Sequence, residues 1–260
     1  VRFCSLGSGS SGNATLIEAR SSTGEVQRVL VDCGLSLREL TRRLAERGCS
    51  PDQLSAVFIT HEHSDHVGCV QALMRKHRVP VWMSEGTWRA ANAEHEPPEL
   101  LRFARDGEPV ALGILALQPY SVPHDAREPL QLTITDGQHR LGILTDAGSE
   151  TELMVQALQQ CTAMLLECNH DLQMLAESDY PAFLKRRIAG ARGHLSNPAS
   201  AGILSRCLHG GLKHVVAAHL SERNNRPALA AATLAAVLGT QADDVVVADP
   251  RTGSPWLDLH

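Results

Sequence analysis

The stretch Ile59-Thr60-His61-Glu62-His63-Ser64-Asp65-His66-Val67-Gly68 decides how this chain is read. His61, His63, Asp65 and His66 crowd imidazole and carboxylate donors directly behind the strand-forming run Ala56 to Thr60. A helical pattern follows, from Val67 to His77. The spacing predicts a loop at the C-terminal end of a strand. In an extended segment alternate side chains point the same way, so His61 and His63 can grip one ion while Asp65 and His66, where the chain turns, face a second. These donors suit zinc, manganese or iron, and no cysteine joins them to close a structural zinc site.

Working outward, chemistry-bearing residues recur where strands are expected to end. On the N-terminal side, Arg2 to Ser5 reads as a short strand entering the glycine-rich loop Gly7 to Asn13, and Ala14 to Glu18 and Val26 to Val31 as a strand pair. The loop lacks the Lys-Ser/Thr ending of a P-loop. It is either a tight connection or a substrate contact. Asp32 follows in Leu-Val-Asp-Cys-Gly, where it either orients a histidine from behind or forms the turn before Gly34. Ser36 caps a helix with Leu37, Leu40 and Leu44 on one face and arginines on the other.

On the C-terminal side, Glu85 to Ala93 is expected to be helical and Pro97-Pro98 to break the chain. Pro123 biases Val122 to an extended shape, so His124 leaves a sheet at its edge. A hairpin with the turn Asp136-Gly137 delivers Asp146 on its second strand, which spans Arg140 to Thr145. A helix from Glu150 to Gln160 packs Leu153, Met154, Ala157 and Leu158 inward. The buried run Ala163 to Leu166 delivers Glu167. A helix over Tyr180 to Ile188 carries Lys185, Arg186 and Arg187 and leads to His194. Ser196 or Asn197 caps the next helix, over Pro198 to Leu208. His214 to Ala218 ends in His219, Pro227 opens an alanine-rich helix to Leu238, and Asp244 to Ala248 is a last strand.

The 260 residues, 43% hydrophobic, suffice for a sizeable core and contain no linker-like stretch, so one domain over residues 1–260 is expected. No apolar run approaches the roughly 20 residues of a membrane span, and the N-terminus carries no signal pattern, which together lead to a cytoplasmic expectation. The seven cysteines form no CxxC pair and read as buried thiols in a reducing compartment. Of thirteen histidines, His77, His95, His139, His209 and His260 lie in no constellation. The net charge of −5 gives no global basic field, so a nucleic-acid partner would have to be met by a local patch.

The phrase His61-Glu62-His63-Ser64-Asp65-His66 resembles the HxHxDH signature of the metallo-β-lactamase fold. The resemblance implies an α/β architecture, a four-layer αββα sandwich of two packed mixed sheets flanked by helices. It also implies two divalent ions, zinc or manganese or else iron. His61, His63 and His124 would hold one, Asp65, His66 and His219 the other, with Asp146 between them. Two such ions make a hydrolase the natural expectation.

The phrases Leu165 to Asp171, Gly193 to Asn197 and Ala217 to Asn225 are similar in order to motifs of the phosphodiesterase branch, as in tRNase Z. The resemblance implies that Glu167 holds His194 and that His194 serves as general acid; otherwise His194 is a polar loop residue. Over nearly the whole length, through GSGSSGN, VDCGLS, PHDAREP, TDAG, ECNHDLQML, GHLSN and HLSERNN, the chain resembles the bacterial YycJ/WalJ-type nucleases. A metal-dependent nuclease is implied, with DNA more expected than RNA and 5′ exonuclease action most expected. Asn13, Ser196, Asn224, Asn225 and Arg226 become candidate substrate contacts. The rivals are a hydrolase of small cyclic phosphodiesters, a thioester or β-lactam hydrolase, and an iron-binding or redox module that cleaves nothing. The last lacks a flavin domain or CxxC pair to support it.

Overall fold

In the computed structural model, which describes residues 1–91 and 97–260, two seven-stranded sheets pack face to face. The first runs in spatial order β14 (Leu257–Asp258), β1 (Arg2–Gly7), β2 (Ala14–Arg20), β3 (Val26–Val31), β4 (Ala56–Phe58), β5 (Val81–Met83) and β6 (Leu101–Phe103). The second runs β13 (Val246–Val247), β12 (His214–Ala218), β11 (Ala163–Glu167), β10 (Arg140–Leu144), β9 (Leu130–Thr135), β8 (Leu115–Ser121) and β7 (Val110–Leu112). Each sheet is mixed. Strands β1 to β3 pair antiparallel and β3 to β6 parallel, while β7 to β10 pair antiparallel and β10 to β13 parallel.

Alternation sorts the side chains of these strands into two sets. Phe3, Ile17, Val29, Val31 and Phe58 from the first sheet meet Leu117, Leu132, Ile134, Ile143 and Val216 from the second in one dry layer. The opposite faces are covered by helices. Helices α1 (Leu37–Glu46) and α3 (Val70–His77) bury Leu40, Leu44, Leu73 and Met74 on the first sheet. On the second, α5 (Glu152–Leu158), α8 (Asn197–Cys207) and α9 (Pro227–Leu238) bury Met154, Leu158, Ile203, Leu204 and Leu234. The expected αββα sandwich is therefore the observed fold. Its parallel strands end on one edge, where open α/β sheets place their ligands.

Several boundaries differ from the sequence reading, each for a local reason. The helix expected over Val67 to His77 is split into α2 (Ser64–Val67) and α3. The Cys69 N–H leaves the helix ladder for the Cys33 carbonyl at 3.0 Å, a close approach that needs Gly68, since a Cβ there would lie 2.6 Å from the Gly34 carbonyl carbon. Thr151, not Glu150, sets the phase of α5 by accepting the Met154 N–H, which leaves Leu153 exposed and buries Val155 instead. Ser196 is the cap of α8. Helix α4 spans Glu85–Ala90 with Ala91 as its C-cap; Asn92 and Ala93 of that expected helix, and His95, lie outside the described residues. The last expected strand shrinks to Val246–Val247 because Ala242–Asp244 forms a 3-10 turn. Two short edge strands, β6 and β14, and the helix α6 (Leu172–Glu177) had no periodic signal long enough to find. Helix α7 (Ala182–Ile188) buries none of its residues.

Candidate metal centre and cleft

Strand ends deliver the site. His61 and His63 follow β4, Asp32 follows β3, and Asp146, Glu167 and His219 stand at the ends of β10, β11 and β12. Asp32, Asp146 and His219 adopt left-handed backbone with φ of 60°, 54° and 55°. Non-glycine residues are costly there, and such outliers gather at functional sites. Each turns the chain sharply off its strand and aims the side chain into the shared edge.

Four overlapping clusters result. His61, His63 and His124 form one, Asp65, His66 and His219 another, and His61, His66 and Asp146 a third; in each the potential ligand atoms lie within 4.8 Å of one another. The fourth, Asp146, Glu167, His194 and His219, meets the same limit.

The imidazoles are oriented from behind. His61 Nδ1 lies 3.0 Å from the Thr60 hydroxyl, which itself donates to Asp32 at 3.0 Å. His66 Nδ1 lies 2.8 Å from Asp32 Oδ2, His124 Nδ1 3.0 Å from the Gly193 carbonyl, and His219 Nδ1 3.0 Å from Glu167 Oε1. An N–H donated at Nδ1 leaves the Nε2 lone pair for the cluster, which is how metal-binding histidines are held. Three buried atoms facing inward, His61 Nε2, Asp146 Oδ2 and His219 Nε2, have no hydrogen-bond partner. Buried polar atoms are rarely left so, and a cation is what this donor set lacks. The residues fit divalent metal.

Protonation follows the same logic. Burial pushes His61 and His124 down, so both stay neutral and ready to ligate. Burial also works against a charge on His66 and His219, yet Asp32 and Asp146 raise the first, and Asp146, Asp65 and Glu167 bring the second up to about 10. In the metal-free chain these protons supply the positive charge that the buried carboxylates demand. Asp65 and Asp146 are held well below the usual carboxylate range by His219 and His66 despite their burial.

Glu167 lies against His194, as the resemblance implies, and also backs a cluster histidine, which was not expected. Its Oε1 lies 2.8 Å from His194 Nδ1 as well as 3.0 Å from His219 Nδ1, while Oε2 accepts the Ala147 and Leu195 N–H groups at 3.0 and 3.2 Å. Burial alone would raise this carboxyl, but the two imidazoles outweigh it and hold it at about 2. Reciprocally, His194 is raised, because Glu167 and Asp146 overcome its own desolvation. His194 is 24% exposed and looks onto a cleft of about 290 Å³ that Ser10, His63, Asp65 and Arg187 also line.

The five expected substrate contacts are placed elsewhere. Asn13 is buried and donates from Nδ2 to Asp65 Oδ2 at 3.2 Å, while its Oδ1 accepts the Gly9 N–H. It steadies a cluster residue. Ser196 spends its hydroxyl on the cap of α8. Asn224 is fully buried, and Asn225 exchanges hydrogen bonds with Asn197 and donates to the Cys168 carbonyl. Arg226 is exposed at the start of α9 and does not line the cleft. Four of these side chains are spent on hydrogen bonds within the fold, with backbone or with neighbouring side chains, while Arg226 is simply placed away from the cleft. The glycine-rich loop is likewise a strut, since Ser8 Oγ accepts the His219 N–H at 2.8 Å and so ties the two sheets together at the site. Ser10 and Ser64 line the cleft and carried no sequence signal beyond adjacency to a motif.

The fold and this cluster together define a class, and the chain belongs to the metallo-β-lactamase superfamily, whose description matches residues 7–158. Within it, the chain is 32% identical to the exodeoxyribonuclease WalJ of Streptococcus pneumoniae over 99% of this chain and 98% of that protein. It is also 32% identical to the exodeoxyribonuclease YycJ of Bacillus anthracis, over 92% and 89% respectively. In fold it is similar to the metallo-β-lactamase fold protein YhfI of Bacillus subtilis, with a TM-score of 0.75 at 16% identity and 99% coverage of both chains.

Proposed function

We propose that residues 1–260 act as one domain, a metal-dependent phosphodiesterase that removes nucleotides from the 5′ end of DNA. The observation that carries this reading is the Glu167 carboxylate, shared between a cluster histidine and His194 at the cleft. A thioester hydrolase, whose thiolate leaves without a proton, has no need of such a donor. The full-length kinship with two exodeoxyribonucleases favours DNA as the polymer.

His61, His63 and His124 would hold one divalent ion and Asp65, His66 and His219 a second, with Asp146 between them; the donors suit zinc or manganese and tolerate iron. When bound, the ions lower the pKa of a water and neutralise charge gathering on the phosphoryl oxygens. The protein's own groups do the rest. Asp65, ionised and steadied by Asn13, takes the proton of the attacking water. His194 delivers the Nε2 proton to the leaving oxygen, while Glu167 holds Nδ1–H and balances the imidazolium. Arg187, oriented by Asp125 at 2.6 Å, steadies the phosphate from the rim.

The seven cysteines are free and buried, and burial pushes Cys4, Cys161 and Cys168 up to about 12. Such inert thiols fit the reducing cytoplasm. No helix among the described residues is long and apolar enough to cross a membrane.

The test is cleavage of 5′- and 3′-labelled DNA and RNA, single- and double-stranded, by protein loaded with zinc or manganese. The expected result is stepwise loss from the 5′ end of DNA, abolished in His63→Ala. Hydrolysis of a cyclic or aryl phosphodiester with no polymer cut would transfer the assignment to the small-substrate rival.

A further inference from the structure

The catalytic cleft does not end at the metal cluster. A second cavity of about 190 Å³ adjoins it and shares Ser10, Arg187 and His194 as common walls. Its floor is unlike the first: Tyr180, Leu184 and Ile188 line it, one residue just before α7 and two from the helix itself. Arg187 lies on the wall between the two cavities, held at 2.6 Å by Asp125, which also lines the niche, and the Arg223 guanidinium stands 5.8 Å from the Tyr180 ring centroid. Apolar walls beside a guanidinium on the shared wall, continuous with the proposed phosphodiester-cleaving centre, match the base and the phosphate of a nucleotide.

The helix that forms the niche is tied to the catalytic residues through its backbone. The Ile188 carbonyl accepts the His194 N–H at 2.9 Å, and the Gly193 carbonyl accepts from His124 Nδ1 at 3.0 Å. Gly193 must lack a side chain for this approach, because a Cβ there would lie 2.1 Å from the Ile188 oxygen. Yet none of the seven residues of α7 is buried, and Phe183 is 65% exposed. The chain thus keeps an unburied, basic and partly apolar helix in fixed register with His194 and His124. Fold stability does not call for one.

We propose that this niche is a nucleobase subsite. Tyr180, Leu184 and Ile188 receive the base of the nucleotide adjoining the scissile phosphate, and Arg187 contacts that phosphate from the shared wall. The proposal rests on the nucleic-acid reading above and adds a means of setting the cleavage register: a seated base fixes which phosphate meets His194. Stacking on aromatic and apolar walls is tolerant of base identity, which suits an enzyme that degrades any sequence. Tyr180 binds the base, sets the cleavage register and touches no reacting atom.

The test compares kcat/KM for single-stranded oligodeoxynucleotides that are intact or carry one abasic nucleotide at each of the first three positions. Wild-type protein is expected to favour the intact strand over one abasic position by roughly tenfold or more. That ratio collapses toward one in Tyr180→Ala and is kept in Tyr180→Phe. Metal content and thermal midpoint are measured alongside, so that misfolding is recognised. Equal cleavage of intact and abasic strands by the wild type, or an unchanged ratio in Tyr180→Ala, overturns the subsite while leaving the nuclease assignment standing. Failure of the wild type to cut any strand sinks both.

Discussion

The two sheets contribute to one site in different ways. The first supplies His61, His63, Asp65 and His66 from one short segment running from β4 into α2, and two of its histidines, His61 and His66, are backed by Thr60 and Asp32. The second supplies Asp146, Glu167 and His219 singly from three strand ends, and there one carboxylate backs both a cluster histidine and the cleft histidine His194. On the proposed reading the first half would hold metal and, through Asp65, take up the water's proton, while the second would couple metal holding to proton delivery at the leaving oxygen. A change at Glu167 should then be felt in both metal binding and acid catalysis, and a change at Asp32 in metal binding alone.

The sharpest way to break that contrast is His194→Ala. It should bind metal like the wild type, by metal analysis after dialysis, while kcat on DNA falls roughly 10²- to 10⁴-fold, the usual contribution of a positioned acid. Metal loss in this variant would make His194 a ligand and end the division of labour. Next in size, Asp32→Asn and Glu167→Gln should each weaken metal affinity about 10- to 100-fold in chelator competition, as expected for groups that orient ligands. At saturating metal Asp32→Asn should recover its kcat and Glu167→Gln should not.

A smaller effect is read in stability against pH. In the metal-free chain His219 is raised from 6.5 to about 10, so its stabilising charge is fully present below 6.5 and is lost as pH rises toward and through about 10. Glu167 has the opposite sign. Its value is depressed from 4.5 to about 2, and its contribution is present above 4.5 and lost as pH falls toward 2. The melting temperature of metal-free protein should therefore decline on both flanks. Metal loading should flatten the alkaline decline, since the ion replaces the proton on His219. An alkaline decline that metal leaves untouched would point to other groups. The smallest change is Ser8→Ala, which leaves the buried His219 N–H without its acceptor and should cost about 1–3 kcal/mol in urea unfolding.

The same division explains what could be read from the chain. The first half was legible because its donors fall within a few consecutive positions and the strand and helix flanking them are strongly patterned. In the second half, Asp146 and His219 each stand alone in sequence, and only the resemblance to a known family joined them to the first. What no local pattern reveals is how a carboxylate divides its oxygens. Glu167 was expected to hold His194, whereas its second bond, to His219, arises from the parallel pairing of β11 with β12. The failures at Ser196, Asn224 and Asn225 are of another kind. Ser196 is spent on the α8 cap that the sequence also offered it, and Asn224 on a local turn with Ser221. The bonds of Asn225 to Cys168 and Asn197, by contrast, exist only once the α8 and α9 ends meet the second sheet. The apolar niche beside α7 was hidden differently: the four-residue spacing of Tyr180, Leu184 and Ile188 suits one helix face, but that this face adjoins the cleft follows only from the close approach of Gly193 to the helix end.

The central claim is that the second half donates a proton to the leaving oxygen through His194. Its most direct test is the dependence of the His194→Ala defect on the leaving group. On DNA, whose departing alkoxide needs a proton, the account predicts the full loss of roughly 10²- to 10⁴-fold. On an aryl phosphodiester such as bis(p-nitrophenyl) phosphate, whose phenolate leaves unassisted, the loss should shrink to a few-fold. Equal losses on the two substrates would contradict the account and reduce the Glu167–His194 pair to a scaffold for the metal site.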